Sequence, residues 1–261
     1  MELDDAYSNG AYIPGADEYP AKWQAMAESF RAGYLGAPER SYGESERQRM
    51  DVFEPKKTAK GLFVFVHGGY WKAYDKSSWS HLAGGMLARG WAVALPSYDL
   101  CPEVRISDIT PQIARAVTVA AERIGGPIVL AGHSAGGHLA ARMVCRGVLP
   151  KWVAARLGHV MAISPLADLR PLLRTTLNDT LGLDPAEAEA ESPLLCEDRL
   201  DVPVTVWVGE DERPAFHDQA RQLAETWQCR HEIDPGRHHF DVIDPLSDPD
   251  SRMVRVLVGE A

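Results

Sequence analysis

The stretch "LAGHSAGGHLAARM", Leu130 to Met143, places one serine between two glycines where the chain changes character. Before it, Ile128, Val129 and Leu130 form a short apolar run that predicts a buried strand. After it, "AGGHLAARMVCRG" is rich in helix formers and predicts a helix stopping at Gly147. Ser134 therefore sits on the tight turn between strand and helix, flanked by Gly132 and Gly136 in the spacing G-x-S-x-G. Side chains at those two glycines would clash in such a turn. The turn lifts the serine hydroxyl clear of the sheet, with the new helix's N-terminus pointing at it. This is the pattern of a nucleophile elbow. A small-residue turn that merely packs a helix on a strand is the competing reading, and the flanking pattern argues against it.

The 261 residues are 45% hydrophobic and 25% charged, which suits one large α/β domain over residues 1–261. No apolar run approaches the about 18 residues of a membrane span. The acidic start "MELDDAYSNGAY" lacks the basic and apolar regions of a secretory signal. Cys101, Cys145, Cys196 and Cys229 are scattered with no C-x-x-C, as expected of reduced thiols in a cytoplasmic protein and not of a metal site. A net charge of −10 argues against nucleic acid or an anionic membrane as partner. The expected partner is a small-molecule substrate, with no cofactor; homo-oligomerisation is left open.

Strand and helix patterns alternate along the chain. "YPAKWQAMAESFRAGYLG" (19–36) has helical spacing, and "RQRMDVFEP" predicts an early strand. "LFVFV" (62–66) is continuous, bulky and β-prone before it breaks at two glycines. A helix over "DKSSWSHLAGGMLARG", a strand over "WAVALPSYD" and a helix with Pro111 in its first turn follow. Beyond the elbow come strands at "GHVMAISPLADL", "VPVTVWVGEDE" and "QCRHEID", and helices at "FHDQARQLAETW" and "DSRMVRVLVGE". Such alternation implies a mostly parallel sheet with helices on both faces. Residues 165–200, rich in proline and acids, are expected to form a small cap over the sheet's working edge.

Reactive groups in such sheets sit at the C-terminal ends of strands. After "LFVFV", the glycines of "HGGYW" (67–71) free the backbone to aim N–H groups at a developing oxyanion. Gly69 and Tyr70, with Ala135 after the nucleophile, are the expected donors, and Gly68 replaces one if the loop is shifted. Tyr70 and Trp71 are expected to line the pocket, and His67 to brace the loop. After "VTVWV", Glu210, Asp211 and Glu212 offer a carboxylate for the base; Asp211 is favoured and Glu212 is second. After the last strand, "GRHHFDVID" offers His238 and His239. His239 is preferred as base because Phe240 and Val242 begin a packed segment that would anchor it, leaving His238 turned toward solvent. Asp99, Asp241 and the remaining histidines are assigned structural roles. Ser134, Asp211 and His239 then form a nucleophile, acid and base for acyl transfer without a metal.

"HGGYW" followed by "GHSAGGHLAA" resembles the arylformamidase (kynurenine formamidase) branch of the α/β-hydrolases. "AYSN", "SYDLCPEV", "SPLADLRPLL", "NDTLGL", "ESPLL", "VGEDERPAFHDQA" and "HHFDVID" extend the similarity from Ala6 to about Asp244. The resemblance implies the α/β-hydrolase fold and a triad of Ser134, His239 and an acid in Asp211–Glu212. It also implies release of formate from N-formyl-L-kynurenine in tryptophan breakdown. The leaving aryl amine needs an apolar slot, for which the segment 165–200 is the candidate. A carboxylesterase of small acyl groups is the alternative, and a non-catalytic binding protein on the same fold is a third reading.

Overall fold

All five residues of Leu62–Val66 are buried, and their side chains divide between two separate cores. In this computed structural model, which describes residues 1–34 and 39–260, that strand lies inside an eight-stranded sheet. Leu62, Val64 and Val66 pack with one face's core, while Phe63 and Phe65 pack with the other's. Alternation of side chains across a pleat, with both faces covered, demands a continuous apolar run and not an alternating one.

The strands are β1 (Glu39–Ser41), β2 (Arg49–Phe53), β3 (Leu62–Val66), β4 (Ala92–Pro96), β5 (Ile128–His133), β6 (Leu157–Ile163), β7 (Val204–Gly209) and β8 (Arg230–Asp234). Their spatial order is β1-β2-β4-β3-β5-β6-β7-β8. β1 and β2 join antiparallel, and every pair from β4 to β8 is parallel. The helices are α1 (Tyr19–Gly33), α2 (Gly84–Ala88), α3 (Ile106–Arg123), α4 (Ala135–Arg142), α5 (Lys151–Ala154), α6 (Asn178–Leu181), α7 (Pro185–Ala190), α8 (Pro214–Trp227) and α9 (Arg252–Leu257). Residues of α3, α4 and α8 share a core with Val64, and residues of α1, α2 and α9 share one with Phe63.

Several boundaries differ from expectation for local reasons. The segment Lys76–Ala83 winds as a 3-10 helix, started by Asp75, whose carboxylate accepts from Ser77 N. α3 starts at Ile106 because Arg105 N donates to Asp108 Oδ2 at 2.9 Å, which puts Pro111 one turn inside the helix. α4 ends at Arg142, ahead of Gly147. The last residues of the expected first helix, Leu35 and Gly36, lie outside the described residues.

The segment 165–200 is a buttress more than a cap. It contains α6, α7 and short 3-10 turns at Arg170–Arg174 and Pro193–Leu195. Glu187 is clamped by Arg105 and by Ser107 N. Glu191 accepts from Thr110 Oγ1 at 2.6 Å and pairs with Arg142 at 3.1 Å. These ties anchor the segment to α3 and α4. No described helix is long and apolar enough to cross a membrane.

Candidate active site

Ser134 occupies φ 57°, ψ −118°, a conformation that side-chain-bearing residues rarely adopt. Its surroundings enforce it. A Cβ at Gly132 would stand 2.0 Å from Gly136 O, and one at Gly136 would stand 2.0 Å from Val66 O. The two glycines thus let β5, α4 and β3 approach closely enough to hold the serine at the strand's end. Ser134 N donates to Ile163 O at 2.8 Å, and Ser134 O accepts from His138 N at 3.0 Å, so the backbone is pinned on both sides.

The carboxylate that meets His239 is Glu212 and not the expected Asp211. Glu212 Oε2 accepts from His239 Nδ1 at 2.6 Å, and the two side chains are nearly sealed from solvent. Glu212 Oε1 accepts from Gly209 N at 2.8 Å and from the Ser164 hydroxyl. The turn after β7 explains the shift by one residue. Asp211 N is spent on Arg237 O at 2.8 Å and its side chain is exposed, while Glu212 N returns to Gly209 O and folds the longer carboxylate back under His239. Glu210 faces away, accepting from Gly236 N. Ser164, which the sequence reading missed, follows β6 at φ 47° with its N–H on Trp207 O at 2.6 Å. Its only visible signal was a serine immediately after a strand.

His239 is packed by Phe216, with ring centroids 4.3 Å apart, and by His133 at 4.6 Å. His238 is not turned to solvent. Its Nε2 meets the Tyr19 hydroxyl at 3.0 Å, and its Nδ1 lies 3.2 Å from Asp241, which also accepts from His238 N. Asp241 thus shapes the loop that delivers His239. Asp99 is held by Ser45, Gln48 and Gln112, far from this chemistry in role.

The loop after β3 presses directly on the elbow: a Cβ at Gly68 would meet Ser134 Cβ at 3.1 Å. Gly69, Tyr70 and Trp71 then take positive φ values of 106°, 49° and 54° in succession. Among the described residues no main-chain acceptor takes the N–H of Gly69 or Tyr70. Ala135 opens α4, so its N–H has no partner within the helix. His67 braces the loop, with Nδ1 donating to Gly68 O at 2.7 Å and its ring stacked on Tyr98 at 4.4 Å. Burial lowers its pKa to about 4, which keeps it neutral.

Ser134 and His239 line a cavity of about 340 Å³ whose wall includes Trp23, Tyr74, Trp79 and Phe240. These rings meet edge to face or tilted, at centroid distances from 4.7 to 5.8 Å. Tyr70 also lines it, as expected, and its hydroxyl donates to Tyr7 O at 2.6 Å. Trp71 does not. The successive positive φ values turn its ring into the core, where it is fully buried against His138 at 5.1 Å. From residues 165–200 only Leu177 reaches the cavity; residues 7–10 and Trp23 of the N-terminal part supply the wall expected from a cap. A larger hollow of about 600 Å³, at the start of β7 and β8, contains neither Ser134 nor His239.

Residues 63–235 match the family model of the α/β-hydrolase fold. The chain is 31% identical to a kynurenine formamidase of Drosophila melanogaster, over 83% of this chain and 78% of that one. A kynurenine formamidase of Salmo salar is 28% identical, over 99% and 90% respectively. A solved structure from Silicibacter sp. TM1040, whose thioesterase name is provisional, is 60% identical with TM-score 0.98 and covers 99% of both chains. An esterase of Pyrobaculum calidifontis, 17% identical with TM-score 0.75 over 94% of this chain and 90% of that one, shares the fold. The chain is a hydrolase that belongs to the α/β-hydrolase family, in its arylformamidase branch.

Proposed function

We propose that the protein is an arylformamidase that releases formate from N-formyl-L-kynurenine, with Ser134, His239 and Glu212 as its triad. The observation that carries this is the Glu212–His239 pair, whose His239 lines the same aromatic-walled cavity as Ser134. His239 takes the Ser134 proton while Oγ attacks the formyl carbon, and Glu212 holds the imidazole in the tautomer whose Nε2 is free to accept. The oxyanion is received by the N–H groups of Gly69, Tyr70 and Ala135, which lack other main-chain partners. The protonated aryl amine leaves, and water attacks the formyl ester of Ser134 by the same route in reverse. Relatives named kynurenine formamidase support the substrate, and the aromatic wall suits an aryl leaving group. Scattered thiols fit a cytoplasmic setting.

The 60% identical Silicibacter chain favours a second reading, a thioesterase or esterase of small acyl groups on the same triad. Purified protein assayed on N-formylkynurenine, its N-acetyl analogue, and matched aryl esters and thioesters separates the two. A formamidase should prefer formyl to acetyl by about a hundredfold in kcat/KM, because the extra methyl overpacks the acyl site at about 1–3 kcal/mol. Faster turnover of the esters or thioesters, with the formamide barely cleaved, would remove the formamidase reading and leave the triad standing.

A further inference from the structure

Tyr98 is wholly buried, two residues past the end of β4, the strand beside β3. A buried phenol needs a hydrogen-bond partner, and many acceptors would serve. This one uses the loop that presses on the elbow. Its hydroxyl donates to His67 O at 3.0 Å, with Gly68 O next at 3.4 Å. His67 Nδ1 donates to the same Gly68 O at 2.7 Å. Two consecutive carbonyls therefore lie on one side of the loop, the side of Tyr98. Each belongs to a planar trans peptide, whose N–H points opposite to its carbonyl. Holding His67 O and Gly68 O turns the N–H groups of Gly68 and Gly69 the other way. Gly68 and Gly69 line the cavity with Ser134, whereas Tyr98 and His67 do not. Among the described residues neither N–H has a main-chain acceptor. Successive N–H groups turned to one side make a concave seat for an anion. Tyr98 is itself fixed: Arg47 Nε donates to its carbonyl at 2.8 Å, and its ring stacks on His67. Burial pushes the phenol's pKa up, so it stays an un-ionised donor.

We infer that Tyr98 is a positioning residue for the oxyanion site: it holds two consecutive carbonyls on the core side and so aims the N–H groups of Gly68 and Gly69 at the oxygen that gains charge. The inference rests on the reading of Ser134 as the nucleophile. Gly68 thus joins Gly69 as a donor, where the sequence offered it only as a replacement. Donors aimed in advance need no reorganisation as charge develops. A hydrogen bond to a peptide's carbonyl also polarises that peptide's N–H and strengthens it as a donor. Because Tyr98 does not reach the cavity, loss of its hydroxyl should fall on the charged state and spare binding of an uncharged ligand.

The test compares two ketones as inhibitors of wild type and of Tyr98→Phe, which keeps the ring and loses only the hydroxyl. Acetophenone binds with its carbonyl intact. Trifluoroacetophenone is attacked: the Ser134 Oγ–carbon bond forms, the carbonyl pair moves onto oxygen, and the serine proton passes to His239. Wild type should bind the fluorinated ketone about a hundredfold more tightly or better, as an oxyanion-bearing analogue. Tyr98→Phe should cut that ratio about tenfold with acetophenone little changed, and kcat should fall by the same factor with KM within about twofold. A ratio unchanged in the variant overturns the inference. So does an equal weakening of both ketones, which is what a merely structural role would give. If the variant does not fold, amide hydrogen exchange in the wild type decides. Trifluoroacetophenone should slow exchange across residues 68–70 where acetophenone does not, and unslowed exchange overturns the inference. A wild type that binds both ketones alike removes the nucleophile reading and this inference with it. Failure of the formamidase reading alone looks different: aryl esters are cleaved and formamides are not, while the ketone ratios stay as expected.

Discussion

At the scale of single residues, the site turns on which of three consecutive acids meets His239, and geometry answers Glu212. Glu212→Gln should lower kcat by about a thousandfold or more, because an amide can stabilise the wrong imidazole tautomer. Asp211→Asn should stay within about threefold, since that carboxylate is exposed. Steady-state kinetics on both, with melting curves to confirm folding, would expose the reverse ranking at once. His239→Ala should cost several orders of magnitude and His238→Ala about tenfold or less, the latter through loosening of the Tyr19 contact. Ser134→Ala should abolish hydrolysis and also block labelling by a fluorophosphonate; label elsewhere would contradict the assignment. The sequence could not decide among Glu210, Asp211 and Glu212. The decision is made by a turn that engages Gly209 and Arg237, and Arg237 is 26 residues beyond Asp211, in a loop whose path no local pattern shows.

At the scale of elements, legibility followed burial. β3 to β7 are covered on both faces, so their residues form apolar runs that stand out in the chain. β1, three residues of Glu-Arg-Ser at the sheet's edge, has no apolar face and could not be seen. The elbow was legible for a different reason: its glycines are demanded by contact with backbone, not by packing of side chains. Gly136→Ala should therefore be among the most damaging small substitutions in the chain. Its methyl would fall 2.0 Å from Val66 O, so β3 and α4 must separate. Loss of soluble protein, or a drop of about 10 °C or more in Tm, is expected, and a variant with wild-type Tm would show that α4 can shift freely. Ser164→Ala removes one of three donors to Glu212 and should lower kcat about tenfold with KM little changed. A change in KM alone would deny it that positioning role.

At the scale of the whole molecule, burial has left several histidines neutral. Loss of solvation pushes His67 and His81 down to about 4 and His138 to about 3, against an ordinary 6.5; Lys22 and Arg31 add to the effect at His81. In the window between the folded and unfolded values, the unfolded chain binds more protons. The stability these groups contribute is complete above about pH 6.5 and falls as acidification proceeds toward pH 4, by about 1.4 kcal/mol per pH unit for each group. Asp234 and Asp244, which burial pushes upward, work in the opposite sense. Tm measured from pH 7 to pH 4 should drop steeply. His81→Gln should flatten the slope, because both His81 ring nitrogens are buried without partners and the amide cannot be protonated there. An identical slope in that variant would locate the acid sensitivity elsewhere.

The cavity's walls come from residue 7 to residue 240, and His239, the proposed base, arrives only after β8, the last strand among the described residues. Nothing resembling the reactive arrangement can exist in a partly synthesised or partly refolded chain, however native its early strands. The proposed nucleophile, Ser134, lies midway along the chain, and its proposed base comes from the far end. During refolding from denaturant, helical signal should return before hydrolytic activity does, and activity should be the last property recovered. Catalytic competence is thus a property of the folded sheet as a whole and of no part of it.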